Sequence, residues 1–219
     1  MIELYTASTP NGHKISVLLE ELGIDYQIKP VNLLKGEQKT DSFLNLNPNG
    51  RIPVIIDKSN NDLVIFESGA IMLYLAEKTG KLISREPVKR QETIQWLMFN
   101  VSGIGPMMGQ CNVFYRYFPE KIPAAIDRYQ HEADRLFSVL DSRLSQVEYL
   151  AHDLSIADIA NWCWVRTASW SGIDYKKYEH LNRWVNNLYQ RPAFKKGIKI
   201  PEPVDSDDIA ETGKKIITK

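Results

Sequence analysis

Hydrophobic and polar positions change period several times along the first eighty residues. Ile2, Leu4 and Thr6 alternate with Glu3 and Tyr5, which predicts a strand running into the turn-rich Ser8-Thr9-Pro10-Asn11-Gly12. From His13, the spacing of Ile15, Val17, Leu18, Leu19 and Leu22 predicts a helix, with Asn11 as its N-cap and Gly23 as its C-cap. Residues 26–31 read as a second strand, so strand, helix and strand fit one βαβ unit. Residues 38–46 are polar and weakly helical, and Asn47-Pro48-Asn49-Gly50 is a turn cluster. An apolar strand, Pro53 to Ile56, follows; a proline there is tolerated at a strand's first residue or on a sheet edge. Asn60-Asn61-Asp62 then turns the chain into Leu63-Val64-Ile65-Phe66, completing a hairpin. Glu67-Ser68-Gly69-Ala70 opens a helix that ends near Gly80.

Beyond about residue 86 the strand signal stops and helical periods take over. Residues 91–110 carry an apolar stripe interrupted by Gly103, Gly105 and Pro106, whose ring should kink or break the helix. Residues 124–147 form a long amphipathic helix, with shorter ones near 155–171 and 181–189. Ser155-Ile156-Ala157-Asp158 has the form of a capping box, with Leu154 and Ile159 placed to staple it. The reading is therefore α/β plus all-α: a layered domain over 1–81, a helical domain over 88–200 and a loosely ordered tail over 201–219.

Composition narrows the function. The 219 residues suit two modest domains, and 43% hydrophobic with 25% charged residues is ordinary for a globular protein. Lys plus Arg equals Asp plus Glu at 27 each, so no overall field favours nucleic acid or anionic lipid. Apolar runs stay far below the roughly 20 residues of a bilayer span, and the start MIELYT lacks an export signal, which points to the cytoplasm. Cys111 and Cys163 have neither CxxC nor metal-ligand spacing, so both are read as packing residues and no metal is expected. Any thiol chemistry then needs a thiol from outside the chain.

Two segments carry candidate chemistry. Glu67-Ser68-Gly69-Ala70 offers a hydroxyl and helix-terminal amides to a carboxylate, and an acid to an ammonium group; the same residues equally suit plain capping. Fourteen residues earlier, Ile52-Pro53 opens a strand whose backbone, if turned by a cis proline, would pair with an extended peptide ligand. A trans proline on an edge strand is the alternative.

Taken together, Ser8-Thr9-Pro10-Asn11-Gly12-His13-Lys14, Asn47-Pro48-Asn49-Gly50-Arg51-Ile52-Pro53 and Phe66-Glu67-Ser68-Gly69-Ala70-Ile71 resemble the cytosolic glutathione transferases. TPNGHK, FESGAI.LYLAEKTG, QW…GPM.GQ and RYQ.E..RL look like the bacterial Nu-class members, which are glutathione-dependent disulfide-bond reductases. The similarity runs from Met1 to about Pro192. It implies a thioredoxin-like first domain (βαβ-α-ββ-α), an all-helical second domain, a homodimer, and glutathione as cosubstrate. It also implies that the Thr9 hydroxyl or backbone amide and the Asn11 side chain hold the glutathione sulfur. Gln38 would meet the glycyl end, Ile52 the cysteinyl backbone, and Glu67 and Ser68 the glutamyl end, with Arg51 adding positive charge. Arg128 would reach glutathione across the dimer interface.

A glutathione-dependent thiol-disulfide oxidoreductase is the resulting expectation, acting on glutathione or glutathione disulfide and a small disulfide. A conventional transferase adding glutathione to electrophiles is the alternative, with a pocket near Met107, Met108, Cys111, Phe114, Tyr115 and Tyr117. A protein that binds glutathione without turnover is the third.

Overall fold

The computed structural model describes residues 1–217. Strand β1 (Ile2–Thr6), helix α1 (Pro10–Leu22) and strand β2 (Tyr26–Pro30) form the parallel βαβ unit. A 3₁₀ turn at Glu37–Lys39 and the single turn α2 (Asp41–Leu44) lead to β3 (Val54–Asp57), β4 (Leu63–Phe66) and α3 (Ser68–Thr79). The four strands lie in the order β2-β1-β3-β4, with β3 antiparallel to both of its neighbours. Asn61 and Asp62 take positive φ in the hairpin turn, as the primed turns that match strand twist require. Pro53 immediately precedes β3, follows a cis peptide bond, and spares this interior strand any lost ladder bond.

The second domain begins with α4 (Pro87–Phe99), a π-helical turn over Asn100–Ile104, and α5 (Gly105–Asn112). Pro106 has no amide to continue the ladder, and the Gly105 N–H reaches back five residues to the Asn100 carbonyl. The helix is thus widened rather than broken. A second π turn, Val113–Tyr117, ends the rod; α6 (Pro123–Leu144), α7 (Ile156–Val165), α8 (Glu179–Gln190) and α9 (Pro192–Gly197) follow.

Helix α1 joins the two halves. It packs on α3, α7 and α9, and every residue from Gly12 to Leu19 is buried, including Lys14 and Ser16. Ile15, Val17 and Leu18 belong to one continuous apolar cluster with Met108, Phe137, Trp162 and Phe194 of the helical domain. Ser16 Oγ donates to the Gly197 carbonyl at 2.7 Å, satisfying a hydroxyl that has no access to water.

The start of α7 is fixed by the capping box read from sequence. Ser155 Oγ accepts the Ala157 amide, while Asp158, fully buried, accepts from Leu150 N, Ser155 N, Ser155 Oγ and Trp184 Nε1. Burial pushes its carboxyl up to about 6 against these bonds.

Two expectations are corrected. The N-cap of α1 is Thr9, not Asn11: Thr9 is extended, its Oγ1 accepts the Gly12 amide at 3.1 Å, and Pro10 takes the first helical turn. Proline favours that position because its fixed φ is helical and it has no N–H to leave unpaired. The tail expected to be loose contains α10 (Ser206–Ile217), packed on the second π turn so closely that a β-carbon on Gly213 would lie 2.5 Å from Tyr117 Cδ1. Acids in its first turn and lysines in its last match the helix dipole. Residues 218–219 of that tail lie outside the described residues.

Asp158→Ala leaves three buried N–H donors without an acceptor and should destabilise the protein by about 3 kcal/mol or more, read as a lower denaturant midpoint.

Candidate functional site

Strand register decides which loops meet. Tyr5 of β1 pairs with Val54 at the start of β3, which in turn pairs with Phe66 at the end of β4. The segments 7–9, 51–53 and 67–68 therefore leave the same end of the sheet, where α1 and α3 also begin. Residues far apart in sequence are gathered by this one alignment.

At the α1 terminus, the Thr9 amide is already used, donating to the Ala7 carbonyl at 2.8 Å. Its hydroxyl oxygen accepts the cap bond, which leaves the hydroxyl proton as the group able to donate outward. Gly12 lies against the loop so tightly that a β-carbon would be 2.2 Å from the Ala7 carbonyl oxygen. Asn11, half-buried, accepts the Trp164 indole N–H at 3.0 Å on Oδ1, and its Nδ2 has no partner among the described residues. One step along, Arg166 Nη2 donates to His13 Nδ1 at 2.7 Å, so the neutral ring carries its proton on Nε2, facing Ser8 Oγ at 3.4 Å. Burial, aided by the Arg166 charge, lowers the His13 pKa to about 3. His13 is thus a neutral strut and not a proton shuttle.

At the α3 terminus, Glu67 sits at φ 69° and ψ 117°, a strained conformation for a residue with a β-carbon, and its side chain makes no cap bond. The first-turn amides of α3 are left to an outside acceptor. Ser68 is buried, and its Oγ accepts from Lys14 Nζ at 3.4 Å. The Ser68 hydroxyl proton consequently points away from Lys14. Lys14 is only 2% exposed; burial lowers its pKa to about 8, resisted by the charge of Glu67. The cluster thus combines a buried cation, a serine hydroxyl and helix amides with an exposed carboxylate, which suits the paired charges of an α-amino acid.

Gln38 is 7% exposed and its Oε1 has no hydrogen-bond partner among the described residues. It lies beside the 47–51 turn, where Gly50, at φ 61°, approaches the Gln38 carbonyl. Asn47 Nδ2 donates to the Arg51 carbonyl at 2.7 Å, so Arg51, exposed, and Ile52, half-buried, are held at the mouth of the sheet end. Arg128 is apart: it lies exposed on α6 and pairs with Glu132 of its own helix at 3.7 Å. Both cysteines are buried in the helical domain, and burial pushes their thiols up to about 11 for Cys111 and about 12 for Cys163. Of the six residues suggested for an electrophile pocket, Met108 and Cys111 are fully buried, and Phe114 stacks on Tyr129 at 5.4 Å. Met108 and Cys111 pack the interior, and Phe114 is half-buried. Among the described residues no cluster of three or more His, Cys, Asp or Glu side chains is arranged for a metal, and no helix is long and apolar enough to cross a membrane.

Residues 1–77 match the family model for the glutathione S-transferase N-terminal domain, and residues 107–192 match that for the C-terminal domain. The chain is 48% identical over 198 residues to the disulfide-bond oxidoreductase YfcG of Escherichia coli, covering 88% of this chain and 92% of that protein. This chain belongs to the glutathione S-transferase family. A glutathione transferase homolog from Lodderomyces elongisporus, solved with two glutathiones per subunit, superposes with a TM-score of 0.88 at 38% identity, covering 91% of this chain and 98% of that one. A glutathione transferase from Pseudomonas putida, solved with one glutathione disulfide per subunit, gives 0.86 at 40% identity, covering 91% of each.

Within this glutathione S-transferase, sequence reasoning missed the supporting residues: Lys14, His13, Trp164 and Arg166. His13 and Lys14 stood in the motif at 8–14, where neither was given a role. The Asn11–Trp164 and His13–Arg166 pairs each span 153 positions, a separation at which a single sequence carries no pairing signal.

Because the folded pKa of Lys14 lies below its ordinary 10.5, the cost of burying its charge is complete below about pH 8 and vanishes as pH approaches 10.5. Lys14→Met should therefore raise thermal stability at pH 7 by about 2 kcal/mol, with the gain shrinking at higher pH. The same variant should bind glutathione more weakly, as measured by calorimetric titration.

Proposed function

We propose that this glutathione S-transferase is a glutathione-dependent disulfide-bond reductase in which the reacting sulfurs belong to the ligands. The observation that carries this reading is the pairing of two unused donors, the Thr9 hydroxyl and Asn11 Nδ2, at the α1 terminus of a chain whose only thiols are buried. A free thiol titrates near pH 8.5, so lowering it by about two units requires roughly 2.7 kcal/mol of preferential thiolate stabilisation. Two hydrogen bonds to an anion at a helix N-terminus are of that size.

Glutathione would lie across the shared sheet end. Its glutamyl ammonium faces Glu67, its glutamyl carboxylate meets Ser68 and the α3 amides, its cysteinyl backbone pairs with Ile52, and its glycyl end reaches Gln38 and Arg51. The held thiolate attacks one sulfur of a small disulfide, forms a mixed disulfide and releases one thiolate, which takes up a proton. A second glutathione thiolate attacks the glutathionyl sulfur of that intermediate, giving glutathione disulfide and the second thiol. Two glutathiones are oxidised and one disulfide is reduced. The glutathione and glutathione disulfide bound in the Lodderomyces and Pseudomonas relatives support a site with room for both sulfurs.

The reading also takes the protein to be a cytoplasmic homodimer. Edge strand β4 exposes Leu63, Val64 and Phe66, and Val101, itself exposed, lies against Gly69 at the α3 terminus. A second copy would cover these apolar groups and bring Arg128 of one subunit toward the glutathione of the other.

Glutathione disulfide formation from glutathione and a small disulfide should fall on the order of tenfold or more in Asn11→Ala, and less in Thr9→Ala. A faster reaction with an aryl halide than with the disulfide, or rates indifferent to both substitutions, would overturn the reductase assignment. Sedimentation should give twice the chain mass, and Phe66→Lys should shift the species toward monomer and weaken glutathione binding.

A further inference from the structure

A carboxamide has two ends of opposite sense. Turned one way Asn11 gives a thiolate an N–H donor; turned the other it presents an oxygen that repels it. Its own helix does not decide between the two. Trp164 does, because the indole N–H can only donate and it lies 3.0 Å from Asn11 Oδ1. The oxygen end is thereby consumed, and Nδ2 is the end left to the cleft.

The indole is itself immobile. Trp164 is 7% exposed on α7, whose start is locked by the Asp158 capping box. Its ring rests on two glycines one helical turn apart on α5: a β-carbon would lie 3.3 Å from Nε1 at Gly105 and 3.7 Å from Cη2 at Gly109. The helical domain therefore holds an N–H aimed at one atom of the first domain. We infer that Trp164 is a positioning residue for the thiolate: it sets the orientation of the Asn11 amide and through it the acidity of bound glutathione. This rests on the reading of Asn11 as the thiolate donor.

Trp164→Phe keeps an aromatic ring, smaller than the indole, and deletes the N–H. The ultraviolet absorbance of the thiolate, followed against pH with glutathione bound, should show its pKa raised by about half to one unit. Disulfide reduction should then fall about three- to tenfold at pH values below both pKa values and recover above them, while glutathione affinity changes less than about twofold. In an Asn11→Ala background the substitution should add nothing. Gly105→Ala leaves both side chains in place but crowds Nε1, and should shift the pKa in the same direction by less; it serves where Trp164→Phe does not fold. An unchanged titration in both variants, a rate loss equal at every pH, or additivity with Asn11→Ala would overturn the role of Trp164 while leaving Asn11 standing. If Asn11→Ala itself leaves the acidity of bound glutathione unchanged, the donor reading and this inference fall together.

Discussion

The burial of α1 between the sheet and the helical domain is the constraint on which the rest depends. A helix covered on one side would show a plain amphipathic stripe; this one is packed by α3 of the first domain and by α7 and α9 of the second, and is buried from Gly12 to Leu19. Its N-terminal turn consequently cannot move independently of either domain. In that turn Asn11 is held by an indole from α7, His13 by a guanidinium at the end of α7, and Lys14 by a serine from α3.

This arrangement spends stability on a polar site. A buried ammonium with one long hydrogen bond, a glutamate at φ 69° and a glutamine carbonyl without a partner among the described residues are each locally unfavourable. All three lie in segments that converge on the ends of α1 and α3 or on the turn beside them. The apolar cluster shared by both domains offsets these local costs, and an anionic peptide ligand with an ammonium end would relieve them.

The division of labour between domains follows. In the proposed reading the sheet end presents backbone and charge to a peptide, whereas the helical domain contributes little that would face the ligand directly within one chain. Its contribution is orientation: Trp164 fixes an amide and Arg166 fixes a histidine tautomer. With both cysteines buried and their thiols pushed to about 11 and about 12, the chain has no competing sulfur of its own. Sulfur chemistry is left to what the site binds.

Sequence alone determined the local elements, because periodicity, prolines and turn residues act over a few positions: the hairpin at Asn60-Asn61-Asp62, the capping box at Ser155 and the helix start at Ser68 were all legible. So was the set of motifs at 8–14, 47–53 and 66–71 that resembles a glutathione site. The Thr9 cap was legible too, since Pro10 marks the first helical turn, but Asn11 is an equally good cap by residue type and obscured it. Helix α10 carried its charge pattern in the sequence, yet its stability depends on packing against Tyr117, which no local signal announces. Only the folded structure decided which donors are free. Whether Thr9 donates through its amide or its hydroxyl, and which end of Asn11 faces the cleft, depends on partners two residues away in one case and 153 in the other. A hydrogen bond satisfied elsewhere is invisible in the sequence, and it is what leaves these particular groups to the ligand.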